Sequence, residues 1–138
     1  MSGEIILLAE QDPIYHRVVY DQLNNAGYSV ITAENAEDAL RQAKQFSKSI
    51  DILLTGIVGP TKNGLHLSHE IRRLREGSMV LSMAEYFIDI LADPDLNAMP
   101  VHFLRKPFTF FELSQKIEEA MQKQHSQVLT GTCQHRYV

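Results

Sequence analysis

Three stretches of the chain carry residues able to do chemistry, and each follows a short apolar run. Glu10-Gln11-Asp12 follows Ile5-Ile6-Leu7-Leu8-Ala9, Gly56 follows Ile52-Leu53-Leu54-Thr55, and Arg105-Lys106-Pro107 follows Val101-His102-Phe103-Leu104. Apolar runs of this length, each closed by turn residues, fit strands buried on both faces of a parallel sheet. In such sheets the loops leaving the strands' carboxyl ends are where sites are built. The order of the runs therefore gathers Glu10, Gln11, Asp12, Gly56, Ala84 and Lys106 at one sheet edge. The chemistry available there is carboxylate against ammonium, with a glycine where a side chain would point into the site.

The intervening segments must be the helices that bring these ends together. Asp12-Pro13 is a helix start, with Asp at the N-cap and Pro in the first turn. Tyr15, Val18, Val19, Leu23 and Ala26 recur at helical spacing, and Gly27 closes that helix. Tyr28 to Thr32 reads as a second strand, and Asn35 caps a helix whose inner stripe is Ala36, Ala39, Leu40, Ala43 and Phe46. A third helix is expected from about Gly64 to Arg75, a fourth strand from Met79 to Met83, and a short helix from Glu85 to Ala92. The last helix is expected from Thr109 to about Lys123, with Phe110, Leu113, Ile117, Ala120 and Met121 on one face. Strands alternating with helices imply right-handed crossovers and a doubly wound α/β fold, a five-stranded parallel sheet between two helical layers. Residues 1–123 are read as this domain and residues 124–138 as a polar C-terminal tail or truncated linker without periodicity.

Composition narrows the function classes. At 138 residues the chain makes one domain with one core. Its net charge of −4 gives no basic surface for nucleic acid or an anionic membrane. No apolar run is long enough to span a bilayer. The single cysteine, Cys133, forms no internal disulfide, which fits a reducing, cytoplasmic setting. His66 and His69 lie three apart on a helix with no third ligand evident nearby except Glu70, and the tail residues His125, Cys133 and His135 match no zinc spacing. His16 has no partner visible in the sequence. Gly59-Pro60 and Asn63-Gly64 are turn chemistry, and no glycine-rich phosphate loop follows the first strand, which disfavours a flavodoxin-like small-ligand binder or enzyme.

Ile6-Leu7-Leu8-Ala9-Glu10-Gln11-Asp12-Pro13, Asn63-Gly64-Leu65 and above all Phe103-Leu104-Arg105-Lys106-Pro107-Phe108 resemble, in this order, the CheY-like receiver domain of response regulators. The resemblance covers roughly Glu4 to Lys123. It implies the (βα)5 flavodoxin-like fold and a phosphorylation switch in two-component signalling. In that family an Asp ending the third strand accepts a phosphoryl group from a histidine kinase. Two acidic residues after the first strand help hold Mg²⁺, a Ser or Thr ends the fourth strand, and a Lys follows the fifth.

This chain keeps Glu10 and Lys106 but has Gln11, Gly56 and Ala84 at the other positions; a shift of the alignment would put Met83 or Ser82 in place of Ala84. An acyl phosphate needs a carboxylate nucleophile, which glycine lacks. Asp51, five residues earlier on the same strand, would sit roughly 16 Å away at the other end of the sheet. With two carboxylates lost, Glu10 is the residual metal candidate, and Mg²⁺ binding is expected to be weak or absent. Glu10 and Lys106 are expected to pair instead, directly or through water. The expectation is a degenerate receiver, a pseudo-receiver without catalytic residues. It would act by contact with a histidine kinase, an output domain, another regulator or a second copy. A working receiver with an unrecognised acceptor is the alternative. Tyr86, Phe87, Ile90 and Leu91, on a short helix too apolar to bury against one sheet face, are the candidate partner face.

Overall fold

The computed structural model describes residues 4–57, 67–75, 77–85 and 102–130. Five parallel strands, β1 (Ile5–Ala9), β2 (Ser29–Ala33), β3 (Ile52–Thr55), β4 (Met79–Ala84) and β5 (His102–Arg105), form one sheet in the order β2-β1-β3-β4-β5. Four helices are seen among the described residues: α1 (Pro13–Asn25), α2 (Ala36–Gln45), α3 (Leu67–Leu74) and α4 (Phe110–Thr130). The doubly wound α/β architecture read from the sequence is what the chain adopts.

Alternation along the strands sorts the core into two layers. Leu7, Ala9, Leu53 and Val80 pack with Ala36, Ala39, Ala43, Leu67 and Ile71 of α2 and α3. Ile6, Leu8, Ile52, Leu54, Leu81 and Met83 face the other way, onto Val19 and Leu23 of α1 and Leu113, Ile117 and Ala120 of α4. Helices on both faces leave the central strands dry: every residue of β3 and β4 is buried. The alanines of α2 let that helix lie close to the sheet. Arg75 then ties its end down, donating to the carbonyls of Ala43 (2.9 and 3.0 Å), Lys48 (2.8 Å) and Phe46. The Ala43 and Phe46 carbonyls lie at the α2 terminus, where carbonyls lack an internal partner, and Lys48 lies in the loop beyond it.

The caps follow the sequence. Asp12 Oδ1 accepts from the Ile14 and Tyr15 amides at 2.9 and 3.4 Å, with Pro13 in the first turn. Asn35 Oδ1 accepts from the Asp38 amide at 2.8 Å. Gly27 ends α1 with φ 98°, a left-handed conformation that favours glycine. Several boundaries differ: β2 spans Ser29–Ala33, one residue later than expected, and β5 runs to Arg105 rather than Leu104. β4 runs one residue further than its hydrophobicity suggests, to Ala84, whose carbonyl accepts from the Lys106 amide at 2.8 Å. The last helix continues to Thr130, past Lys123, where apolar periodicity stops in the sequence. The expected helix at 85–92 and the start of the third helix at Gly64 fall outside the described residues. Among the described residues, no helix is long and apolar enough to cross a membrane.

Tyr28, which precedes β2, is half-buried, and its phenol is held above the ordinary value of 10.0 by burial first and by Glu4 and Glu118 next. All three disfavour the phenolate in the folded state. The folded protein therefore keeps a proton there that the unfolded chain releases, and stability falls as pH rises above about 10. Replacing Tyr28 by Phe should flatten the alkaline limb of a Tm-against-pH curve and leave the neutral limb in place. An unchanged alkaline limb would show that other groups set it.

Candidate functional site

The site sits where the carboxyl ends of β1, β3 and β5 meet α1. Glu10 leaves β1 as its last buried residue, with its amide donating to the Ala33 carbonyl at 3.3 Å. Gly56 leaves β3, its amide fixed to the Ala9 carbonyl at 2.9 Å. Lys106 leaves β5. The order of the sheet places two strands, β3 and β4, between β1 and β5, a separation of roughly 14 Å at ordinary strand spacing. Only long side chains bridge it. Lys106 Nζ reaches Glu10 Oε1 at 2.9 Å, joining residues 96 apart in sequence.

This pair is well covered. The Glu10 side chain is 3% exposed and that of Lys106 11%. Glu10 Oε2 accepts from the Asp12 amide at 2.9 Å, so both carboxylate oxygens are engaged. Lys106 lies 4.3 Å from the centre of the Tyr15 ring, on its π-face. Tyr15 in turn packs against Phe108, with ring centroids 5.7 Å apart at 46°. His16 Nδ1 lies 3.1 Å from the Glu10 carbonyl oxygen, within hydrogen-bond distance for the tautomer protonated there. Lys106 thus has a carboxylate on one side and an aromatic face on the other.

Gly56 is the empty position that makes this possible. A Cβ built on Gly56 would stand 2.7 Å from Glu10 Cδ and 3.0 Å from Oε2, and nearer still to Oε1. The volume that any side chain at 56 would enter is held by the Glu10 carboxylate. Of the remaining positions singled out from the sequence, Ala84 ends β4 and meets Lys106 through its backbone. Gln11 is exposed and lines a neighbouring cleft of about 640 Å³ with His16, Arg17, Thr32 and Glu34. Asp12 is occupied as the α1 cap. Asp51 lies at the opposite end of the sheet, where Oδ2 accepts from the Ile5 amide at 2.8 Å. Ser82, the other candidate hydroxyl on β4, is fully buried beside Thr55, and its Oγ has no hydrogen-bond partner among the described residues. The candidate partner face, Tyr86, Phe87, Ile90 and Leu91, lies outside the described residues.

Sequence reasoning missed Tyr15 and His16 as parts of the site. Tyr15 looks like one more apolar residue on the inner face of α1. Its role emerges only when β5 delivers Lys106 beside the first turn of that helix. Among the described residues, no three His, Cys, Asp or Glu side chains cluster in a way that would hold a metal ion.

Comparison with known proteins agrees with this architecture. The response regulator receiver domain family matches residues 6–118. The DNA-binding transcriptional regulator NtrC of Azospirillum brasilense is 29% identical over 121 residues, which are 88% of this chain and 25% of NtrC. The sensor kinase CckA of Brucella abortus (strain 2308) is 25% identical over 123 residues, 89% of this chain and 13% of CckA. The chain thus spans a quarter or less of these two relatives. A response regulator receiver domain protein from Clostridium thermocellum superposes with a TM-score of 0.73 at 22% identity, covering 93% of this chain and 100% of its own, a likeness of fold. With the family matched over residues 6–118, and with the strand order and the Lys-Pro exit from β5 in place, the chain belongs to the response regulator receiver domain family of two-component signalling.

Proposed function

We propose that this receiver accepts no phosphoryl group at the end of β3 and signals through protein contact. One observation carries the reading: the residue that follows β3 is Gly56, and the Glu10 carboxylate fills the space its side chain would use. Acyl-phosphate formation needs a carboxylate oxygen free to attack phosphorus. Glycine supplies none, and both oxygens of Glu10 are bonded.

The donor set also fits Mg²⁺ poorly. That ion takes six hard oxygen ligands in near-octahedral geometry. Here Glu10 is neutralised by Lys106, Asp12 caps α1, and Gln11 replaces a carboxylate. Weak or absent Mg²⁺ binding is part of the proposal. So is a non-enzymatic role in the cytoplasm, in which the domain is read by a histidine kinase, an output domain, another regulator or a second copy. Large apolar side chains left in solvent, Ile14 and Phe111 at 73% and 69% exposure, support a contact-based mode.

The test is incubation with acetyl phosphate and Mg²⁺ followed by mass measurement of the intact protein. No added phosphoryl group is expected. A phosphoryl adduct would establish a working receiver with another acceptor.

A further inference from the structure

We infer that this domain carries its own ligand: the Glu10 carboxylate, held by Lys106 in the volume opened by Gly56, is an internal latch that fixes the pocket in one state without metal or phosphate. The inference rests on the reading that residue 56 accepts no phosphoryl group and adds what replaces it. It is a self-occupying contact, because the Lys106 ammonium is already held by the Glu10 carboxylate at 2.9 Å.

Three observations join here. First, the latch ties elements that the sheet keeps apart. It links β1 and the start of α1 to the exit of β5 across the ends of β3 and β4. Second, the charges close on themselves. Among the described residues, the buried carboxylate meets one ammonium and one backbone amide, and the ammonium meets one carboxylate and the face of Tyr15. Third, Gly56 is required for space and not for backbone conformation. Gly27 is the positive-φ glycine among the described residues, and Gly56 is not in that region. What a Cβ at 56 would meet is the Glu10 carboxyl group. Position 56 and position 10 are therefore one unit: the glycine is the socket and the glutamate fills it.

A Cβ at 56 should expel the carboxylate, the free end of a side chain, rather than move the strand. The cost is then the loss of the Lys106 and Asp12 contacts, and it should vanish when Glu10 is shortened. A thermal-unfolding cycle tests this. Gly56→Ala is made in the wild type, in Glu10→Gln and in Glu10→Ala. Gly56→Ala is expected to lower Tm in the wild type and in Glu10→Gln, where the shape at position 10 is kept. In Glu10→Ala it is expected to leave Tm unchanged or raise it, because alanine restricts the unfolded chain where the native conformation admits it. The same Tm shift in all three backgrounds would overturn the latch. Each comparison is made within one background, so an overall loss from Glu10→Ala does not mask the result. The cycle is also independent of phosphorylation. An adduct from acetyl phosphate with a non-additive cycle sinks only the functional reading, and an additive cycle with no adduct sinks only the latch.

Discussion

Lys106→Met should lower the unfolding free energy by about 3–5 kcal/mol, the cost of breaking a buried ion pair by removing one partner. The variant strands Glu10, whose side chain is 3% exposed, with the hydrogen bond from the Asp12 amide as its one remaining bond among the described residues. It also removes the ammonium from the Tyr15 face, worth about 0.5–2 kcal/mol in comparable settings. The wild-type pair need not be a net source of stability, since desolvating both charges offsets much of their attraction. Adding Glu10→Gln to Lys106→Met should therefore recover more than half of the loss, because no charge is then left buried. Urea unfolding followed by far-UV circular dichroism reads both variants. A loss below about 1 kcal/mol for Lys106→Met would place the pair in effectively watery surroundings, where exposed ion pairs have that worth, and would remove the physical basis for a rigid latch.

Much of this site was legible before any coordinates, for identifiable reasons. β1 and β3 have the ends their apolar runs predict, because a strand buried on both faces has no polar residue to blur its limits. The N-caps at Asp12 and Asn35 are local chemistry, readable within four residues. The pairing of Glu10 with Lys106 followed from counting charges at the converging strand ends, and the distance of 2.9 Å bears it out. What could not be read is tertiary. That the Glu10 carboxylate fills the Gly56 space depends on strand order, which carries the side chain over the end of β3. That Tyr15 and Phe108 cover Lys106 depends on the first turn of α1 standing beside the exit of β5. Neither leaves a trace in periodicity. From sequence, Gly56 is only a missing acceptor; in the structure, it is also the room another side chain needs.

That second property changes what restoring phosphorylation requires. From the sequence, Gly56→Asp with Gln11→Asp would rebuild the acceptor and one metal ligand. In the structure the first atom of a new side chain at 56 meets the Glu10 carboxyl group, so this double variant is expected to remain silent toward acetyl phosphate and Mg²⁺. Shortening Glu10 by one methylene withdraws its carboxylate from the space above β3 while keeping a charge for the metal. The triple variant Glu10→Asp, Gln11→Asp, Gly56→Asp then presents three carboxylates against Lys106, and the excess negative charge favours a divalent cation. It should go from no detectable adduct to one phosphoryl group per chain in intact mass, with accumulation slowed because Ala84 offers no hydroxyl to the phosphoryl oxygens. Peptide mapping should place the group at position 56. If the double variant is already modified as fully as the triple, Glu10 yields its place freely and the internal carboxylate is no barrier. If the triple variant folds, binds Mg²⁺ and still takes no phosphoryl group, the obstacle lies beyond position 56, with the missing hydroxyl at the end of β4 as the next change to make.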